Sequence, residues 1–217
     1  MTQASFSPAA DRNKHAILEV LMQLVPDRGQ ALEIASGTGQ HAAWFAAALP
    51  GWRWQPTDAM PEAMGSIIAW VFEHQLKNVA PPLLLDVTSP SWQVDDSSFD
   101  LIYCANMLHI SPWPTTAALM QGSARRLAPG GLLVTYGPYF EDGVLPSAGN
   151  LAFDESLRAQ NPDWGIRRRE DVQAQAALAG LGLQSRHQMP ANNLLLVWSL
   201  DTAARSAKVP RSKPDNV

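Results

Sequence analysis

Three carboxylates, an amide and an imidazole stand in or just beyond short apolar runs. Glu33 lies within Ala31–Ala35, Asp58 follows Trp52–Gln55, Asp86 follows Leu83–Leu85, and Asn106 and His109 follow Leu101–Ala105. The first run leads into Glu33-Ile-Ala-Ser-Gly-Thr-Gly39 and then Gln40-His41-Ala42, with Ala35 and Ser36 completing the turn. Gly37 and Gly39 permit close backbone approach to a ligand, and a helix opening at Gln40 offers unpaired N–H groups beside it. Read as Gly37-x-Gly39-x-x-Ala42, the same stretch meets a dinucleotide-binding pattern. Asp58, nineteen residues past Gly39, suits the two hydroxyls of a ribose in any adenosine ligand. Three residues before Pro61, it equally suits a helix N-terminus. Asp86, followed by Thr88, Ser89 and Pro90, fits either the exocyclic amine of adenine or a turn.

The fourth run, Phe99-Asp-Leu-Ile-Tyr-Cys-Ala105, continues as Asn106-Met-Leu-His109 and Ile110-Ser-Pro-Trp113. An imidazole titrates near neutrality, so His109 is the candidate proton acceptor at this rim. Asn106 can orient a ligand through its amide. Tyr136, Tyr139 and Phe140 close a fifth run, Leu132–Tyr136, on the same rim, which makes Tyr139 a third catalytic candidate. The plainer readings are a loop histidine and packing tyrosines. Cys104, inside an apolar strand, reads as an inert buried thiol. The five histidines (His15, His41, His74, His109, His187) show no metal-ligand spacing, so no metal is expected.

Strands alternating with helices are needed to place these groups together. A further apolar run, Leu194–Trp198, lies late in the chain. Asn13–Leu24 sets Ile17, Leu18, Leu21 and Met22 on one helical face. Pro61–Leu76 does the same with Met64, Ile67, Ile68, Val71 and Phe72, and Pro61 suits a first helical turn. Thr115–Leu127 and Glu170–Leu181 are further helices. The alternation predicts a mostly parallel sheet with helices on both faces. In such sheets a ligand sits beyond the carboxyl ends of the strands, where strand order reverses. Residues 1–200 read as a single domain that begins with an N-terminal helical segment over 1–28. Residues 140–168, long and polar at intervals, read as a lid or substrate-reading insertion. Asn192 and Asn193 suit a turn before the last strand. Trp44, Trp70 and Trp198 read as core, and Trp113 as a pocket residue.

The chain has 217 residues, 46% of them hydrophobic, enough for a substantial core and unlike a disordered chain. No apolar run approaches the roughly 18 residues of a membrane span. The start, Met1-Thr-Gln-Ala-Ser-Phe6, lacks both the basic and the apolar parts of a signal peptide. One cysteine allows neither an internal disulfide nor a Cys-based zinc site. A soluble protein of the cytoplasm is expected. Net charge is −4, but residues 203–217 carry +3 and residues 1–202 carry −7. An acidic body argues against a nucleic-acid partner, and the basic, proline-bearing tail over 201–217 reads as disordered.

Together these segments resemble the class I S-adenosylmethionine-dependent methyltransferases. The resemblance rests on Glu33 before Gly37-x-Gly39, on Asp58 and Asp86, on Asp100–His109, and on Leu127-x-Pro-Gly-Gly131 before the fifth strand. A closer likeness joins Phe6-Ser-Pro-Ala-Ala-Asp-Arg-Asn13, Glu33–His41, Asn106–Trp113, Tyr136-Gly-Pro-Tyr139 and Pro190-Ala-Asn-Asn193. Those segments are similar to the DUF938 family, the methyltransferase-like 26 group. The resemblance implies a Rossmann-like fold whose seven-stranded, mostly parallel sheet ends in an antiparallel strand. It also implies S-adenosylmethionine as cofactor, held by Glu33, Ala35, Ser36, Gly37, Gly39, Asp58, Asp86 and Asn106. Asn13 and Lys14 would help close that site. Ala35 departs from the pattern, since many members carry glycine there. Asn106-Met-Leu-His109 also departs from the Asn/Asp-Pro-Pro-aromatic segment of nucleobase-amine methyltransferases, which favours O-, N- or S-methylation of a small molecule. Two other readings stand beside this one. The first is a non-catalytic member that binds the nucleoside or a partner. The second is an NAD(P)-dependent oxidoreductase, against which the Pro-Gly-Gly turn and the late strand tell.

Overall fold

The computed structural model describes residues 3–94 and 98–201. Helix α1 (Pro8–Leu24) begins earlier than its apolar periodicity indicates. Ser7 caps it by accepting from the Ala10 amide at 3.3 Å, with Pro8 in the first turn. Then come β1 (Gly29–Ile34), α2 (Gln40–Ala48), β2 (Trp52–Asp58), α3 (Pro61–Glu73), β3 (Leu83–Leu84) and β4 (Phe99–Ala105). A short 3₁₀ turn over Leu108–Ile110 precedes α4 (Pro114–Arg126) and β5 (Leu127–Phe140). The chain closes with α5 (Ala148–Gln160), β6 (Arg167–Arg168), α6 (Arg169–Leu178), β7 (Leu181–Met189) and β8 (Asn193–Leu200).

The sheet runs β3-β2-β1-β4-β5-β8-β7, with the short β6 paired to the end of β5. Strands β1 to β5 are parallel, and β8 is antiparallel to both β5 and β7. This is the doubly wound, mostly parallel sheet with an antiparallel strand toward its end that was expected, with β6 as an eighth strand. From β1 the chain winds outward through β2 and β3, then returns across the sheet to β4. The crevice therefore lies between the ends of β1 and β4. Register brings those ends level: Ile34 pairs with Cys104, and Ala105 with Tyr136.

Alternation along the strands divides the core in two. On β4, Leu101 and Tyr103 face α1 and α2, joining Ile17, Leu21, Phe45, Trp54 and Val134. Ile102 and Cys104 face the other way, joining Leu119, Leu133, Val172 and Trp198.

Several elements depart from expectation. Strand β7, Leu-Gly-Leu-Gln-Ser-Arg-His-Gln-Met, was not among the expected runs because it is an edge strand with a largely polar, half-exposed sequence. The last helix accordingly stops at Leu178 rather than Leu181. On α3, Ile67 is fully buried, but Ile68 and Phe72 are 55% and 70% exposed. The reason is the edge strand β3, only two residues long, which is too short to cover the whole apolar stripe. Of the three tryptophans read as core, Trp198 is fully buried. Trp44 is half-buried, with the Lys14 ammonium 4.6 Å above its ring. Trp70 is also half-buried and donates to the Ser5 carbonyl at 2.8 Å. The tail expected over 201–217 lies, from residue 202 onward, outside the described residues. Among the described residues no helix is long and apolar enough to cross a membrane.

Candidate functional site

The turn after β1 is built by backbone and side chains of β2. The Ser36 amide donates to the Thr57 carbonyl at 2.8 Å, and the Gly39 amide closes the turn on the Ser36 carbonyl at 2.9 Å. Gly37 donates its amide to Asp58 Oδ2 at 2.8 Å, while Asp58 Oδ1 accepts from the Met60 amide at 2.9 Å. Asp58 thus ties the glycine turn to the start of α3. It organises the start of α3, and it faces the cavity with acceptor capacity to spare. Gly39 has φ 88°, and a Cβ there would meet Ile67 Cα at 2.7 Å, so no other residue fits that turn. Ala35 holds the left-handed conformation too, at φ 55°. It keeps the backbone path that glycine would take and bears the steric cost.

Glu33 lies beneath this turn, 2% exposed. Its Oε2 accepts from Trp54 Nε1 at 2.6 Å, and Ser36 bonds to it as well. Burial is the dominant influence and pushes its pKa up to about 8, outweighing both hydrogen bonds. It supports the turn from below rather than lining the cavity.

A cavity of about 360 Å³ opens over the turn. Ala35, Ser36, Gly37 and Asp58 border it on one side, Asn106 and Ser111 on the other. Asn106 also has φ 58°, and its amide donates to the Tyr136 carbonyl at 2.8 Å, which fixes it at the end of β4. The N-terminal segment supplies another wall. Ser7 and Ala10 line the cavity, Ser7 donates its amide to Gln40 Oε1, and the Ser5 amide donates to Ser66 Oγ at 2.8 Å. Inward of Ala10, Asn13 Oδ1 accepts from His41 Nε2 at 2.7 Å, which leaves His41 Nδ1 to accept from the Tyr103 hydroxyl at 3.3 Å. Burial holds the His41 pKa down at about 4, as that neutral tautomer requires. His41 lines the cavity, a role that its position in the glycine-rich stretch does not disclose.

His109 sits in the 3₁₀ turn, 6% exposed, beside Asn106. A Cβ on Gly137 would lie 3.4 Å from His109 Nδ1 and 3.8 Å from Asn106 Oδ1, so the missing side chain at 137 is what lets the two approach. Phe153 of α5 meets the imidazole edge-on at 5.5 Å. Burial, then the Arg167 charge, hold the His109 pKa down at about 4.

Arg167 was not among the expected site residues. Its Nε donates to the Leu108 carbonyl at 3.0 Å, and its Nη2 donates to the carbonyls of Ser111 and, at 2.8 Å, of Asp163. The Gly165 amide adds a bond to the His109 carbonyl at 2.9 Å. The insertion read as a lid over 140–168 is therefore fastened to the turn that carries His109. Asp154 fixes it internally, accepting from Arg158 Nε at 2.8 Å and from the Ile166 amide at 2.6 Å.

Two expected residues lie apart from this group. Tyr139 is buried, its hydroxyl donating to Thr135 Oγ1 at 3.0 Å and its pKa driven up by burial. That hydroxyl points into the core because Pro138 and Tyr139 continue β5 past the rim. Asp86 is exposed and closes a turn, its Oδ1 accepting from the Thr88 amide and hydroxyl, each at 2.8 Å. Its other oxygen has no such partner in that turn.

The fold recurs in solved methyltransferases. An O-methyltransferase family protein from Burkholderia thailandensis aligns with a TM-score of 0.75 at 16% identity, over 88% of this chain and 57% of its own. The mitomycin 7-O-methyltransferase MmcR aligns at 0.72 and 15% identity, over 85% and 53%. CalO1, a methyltransferase of calicheamicin biosynthesis in its SAH-bound form, aligns at 0.68 and 14%, over 85% and 53%. The chain spans a little over half the length of these proteins. A family model described as a protein of unknown function, DUF938, matches residues 4–200. By that match, over nearly its whole described length, the chain belongs to the DUF938 family.

Proposed function

We propose that the protein is an S-adenosylmethionine-dependent methyltransferase acting on a small molecule, by O-, N- or S-methylation. The observation that carries this is the junction at Asp58. One carboxylate fixes the glycine-rich turn and borders the cavity that Asn106 and Ser111 border from the other side. The cavity's size, the uncapped N-terminus of α2 and the close passage of Gly39 over Ile67 suit an adenosine ligand with a charged tail. Asp58 would hold the ribose hydroxyls. The turn Ala35–Gly37 and the α2 amides would face the tail, with Glu33 supporting that turn. Asn106 would flank the reacting end, while Asp86, outside the lining of this cavity, takes no part in the reading.

S-adenosylmethionine supplies a methyl group on a sulfonium cation, open to in-line displacement. The protein's part is to hold an acceptor beside Asn106 and His109 and to keep water out. Phe153, the fastened insertion and the N-terminal segment do the latter. The likeness to the methyltransferase-like 26 group and a cytoplasmic location belong to the same reading. A second reading, nucleoside binding without turnover, is favoured by one observation: His109 is nearly buried and Phe153 covers it.

Calorimetric titration with S-adenosylmethionine, S-adenosylhomocysteine and NAD tests the proposal. Saturable binding of the two sulfur nucleosides and not of NAD is expected. Binding of NAD alone, or of none, refutes it. Methyl transfer to any acceptor then separates the enzyme from the binding protein.

A further inference from the structure

The acceptor side of the cavity is short of acids. Asn106, Met107, Ile110 and Ser111 line it; His109 stands in the turn between Met107 and Ser111, and Arg167 holds the Leu108 and Ser111 carbonyls of that turn. Among the described residues the only carboxylate bordering the cavity is Asp58, on the glycine-turn side. Among the described residues the His109 ring nitrogens have no hydrogen-bond partner, so no carboxylate orients the imidazole or strengthens it as a base. The charged groups on the elements around it are Arg167 and Arg168 of β6, Asp154, Glu155 and Arg158 of α5, and Asp163 of the loop between them, with Glu155 and Arg168 exposed to solvent. Asp154 is taken up by Arg158 and the Ile166 amide. Asp163 offers Arg167 its backbone carbonyl, and the Asp163 and Asp154 carboxylates also act on the Arg167 charge. The guanidinium of Arg167 is in turn fixed on the Leu108 and Ser111 carbonyls, on either side of His109. A neutral imidazole donor, an amide and a fixed cation make a setting for negative charge.

We propose that the acceptor reacts as a small organic anion, such as a carboxylate, thiolate or acidic phenolate, and that His109 donates a hydrogen bond to it instead of removing a proton. This rests on the methyltransferase reading above. The step balances without a base. The anion's electron pair forms the new bond to the methyl carbon, the carbon–sulfur bond breaks, and its pair stays on sulfur. The anionic and sulfonium charges cancel, and no proton moves. Burial and Arg167 keep His109 unprotonated through the neutral range, consistent with a single ring N–H available as donor. Arg167 is then a positioning residue that also sets the sign of the site.

The test uses the full chain saturated with S-adenosylhomocysteine. Benzoate, its neutral isostere benzamide, and benzylamine are titrated in turn, read by calorimetry and by the His109 ring resonances. Benzoate is expected to bind on the order of tenfold tighter than benzamide and to shift the His109 signals. The preference should be lost in Arg167→Gln and kept in Arg167→Lys, which restores the charge. His109→Gln, still a donor, should keep most of the preference, and His109→Phe should lose it. Benzamide or benzylamine binding as well as benzoate overturns the inference. So does benzoate binding that leaves His109 unshifted, or a preference indifferent to Arg167→Gln. If the protein fails to bind S-adenosylhomocysteine at all, the methyltransferase reading itself fails and this inference falls with it. Failure of the anion preference in a protein that does bind it sinks this inference alone.

Discussion

Glu33→Gln tests the electrostatics under the glycine turn without removing a contact. The carboxyl is buried, and its pKa is raised from 4.5 to about 8. A carboxyl that holds its proton more tightly when folded contributes stability that is fully present below pH 4.5 and is lost as pH rises through 8. Each pH unit between the unfolded and folded pKa is worth about 1.4 kcal/mol. With the group mostly protonated when folded and ionised when unfolded, the cost reaches about 3 kcal/mol at pH 7. Between pH 6.5 and 8 the protein should lose about 2 kcal/mol from this group alone. Glutamine keeps the acceptor for Trp54 Nε1 and has no charge to bury. Urea denaturation of both proteins at several pH values is the assay, with the difference between them as the quantity read, since the other titrating groups are common to both. The variant should be the more stable at pH 8, and the gap should shrink toward pH 5. Parallel curves would mean that Glu33 is ionised in the folded protein, and the reasoning about its burial would be wrong.

The acid side carries the opposite sign. His41 and His109 are both held at about 4 against an ordinary 6.5, so their contribution is present above pH 6.5 and is lost as pH falls toward 4; urea midpoints should therefore peak near neutrality in the wild type. Asp58→Ala strands the Gly37 and Met60 amides and removes the proposed ribose acceptor, and should weaken S-adenosylmethionine binding by roughly 1–3 kcal/mol in calorimetry. Unchanged affinity would misplace the site. Ala35→Gly releases a left-handed alanine and should raise stability by about 0.5–1 kcal/mol, net of glycine's added chain entropy, with cofactor affinity unchanged or improved. His109→Ala should spare cofactor binding in calorimetry while slowing methyl transfer, and loss of binding would place His109 in the cofactor's own pocket.

The parallel half of the sheet was legible because its strands are buried on both faces and read as apolar runs ended by a polar group. Glu33, Asp58 and Asn106 stand out for that reason, and the glycine turn is found by its spacing. Strand β7 follows a different rule. It lies at the edge, half its residues meet water, and Gln184, Ser185, Arg186, His187 and Gln188 carry no apolar pattern to detect. Tyr139 lies apart from the Asp58–Asn106 cavity for a geometric reason. Sequence places it just past an expected strand end, but β5 runs on to Phe140 and turns the hydroxyl inward to Thr135.

Arg167 and His41 show the deeper limit. Each acts through a partner distant in the chain: Arg167 through carbonyls at Leu108 and Ser111, His41 through Asn13 and Tyr103. Backbone carbonyls leave no trace in residue type, so nothing near Arg167 marks its targets. His41 stands inside a recognisable motif, yet its neighbours there do not include the groups that fix its tautomer. What the spacing of residues discloses is the half of the site made by the strand ends and the turn between them. The other half is made by a helix before the first strand and an insertion after the fifth, held to the site by bonds whose acceptors are side-chain amide oxygens, a serine hydroxyl and bare peptide oxygens. On the methyltransferase reading, that half would decide what an acceptor meets, and the substrate class would be sought in the two flanking segments rather than in the glycine-rich motif.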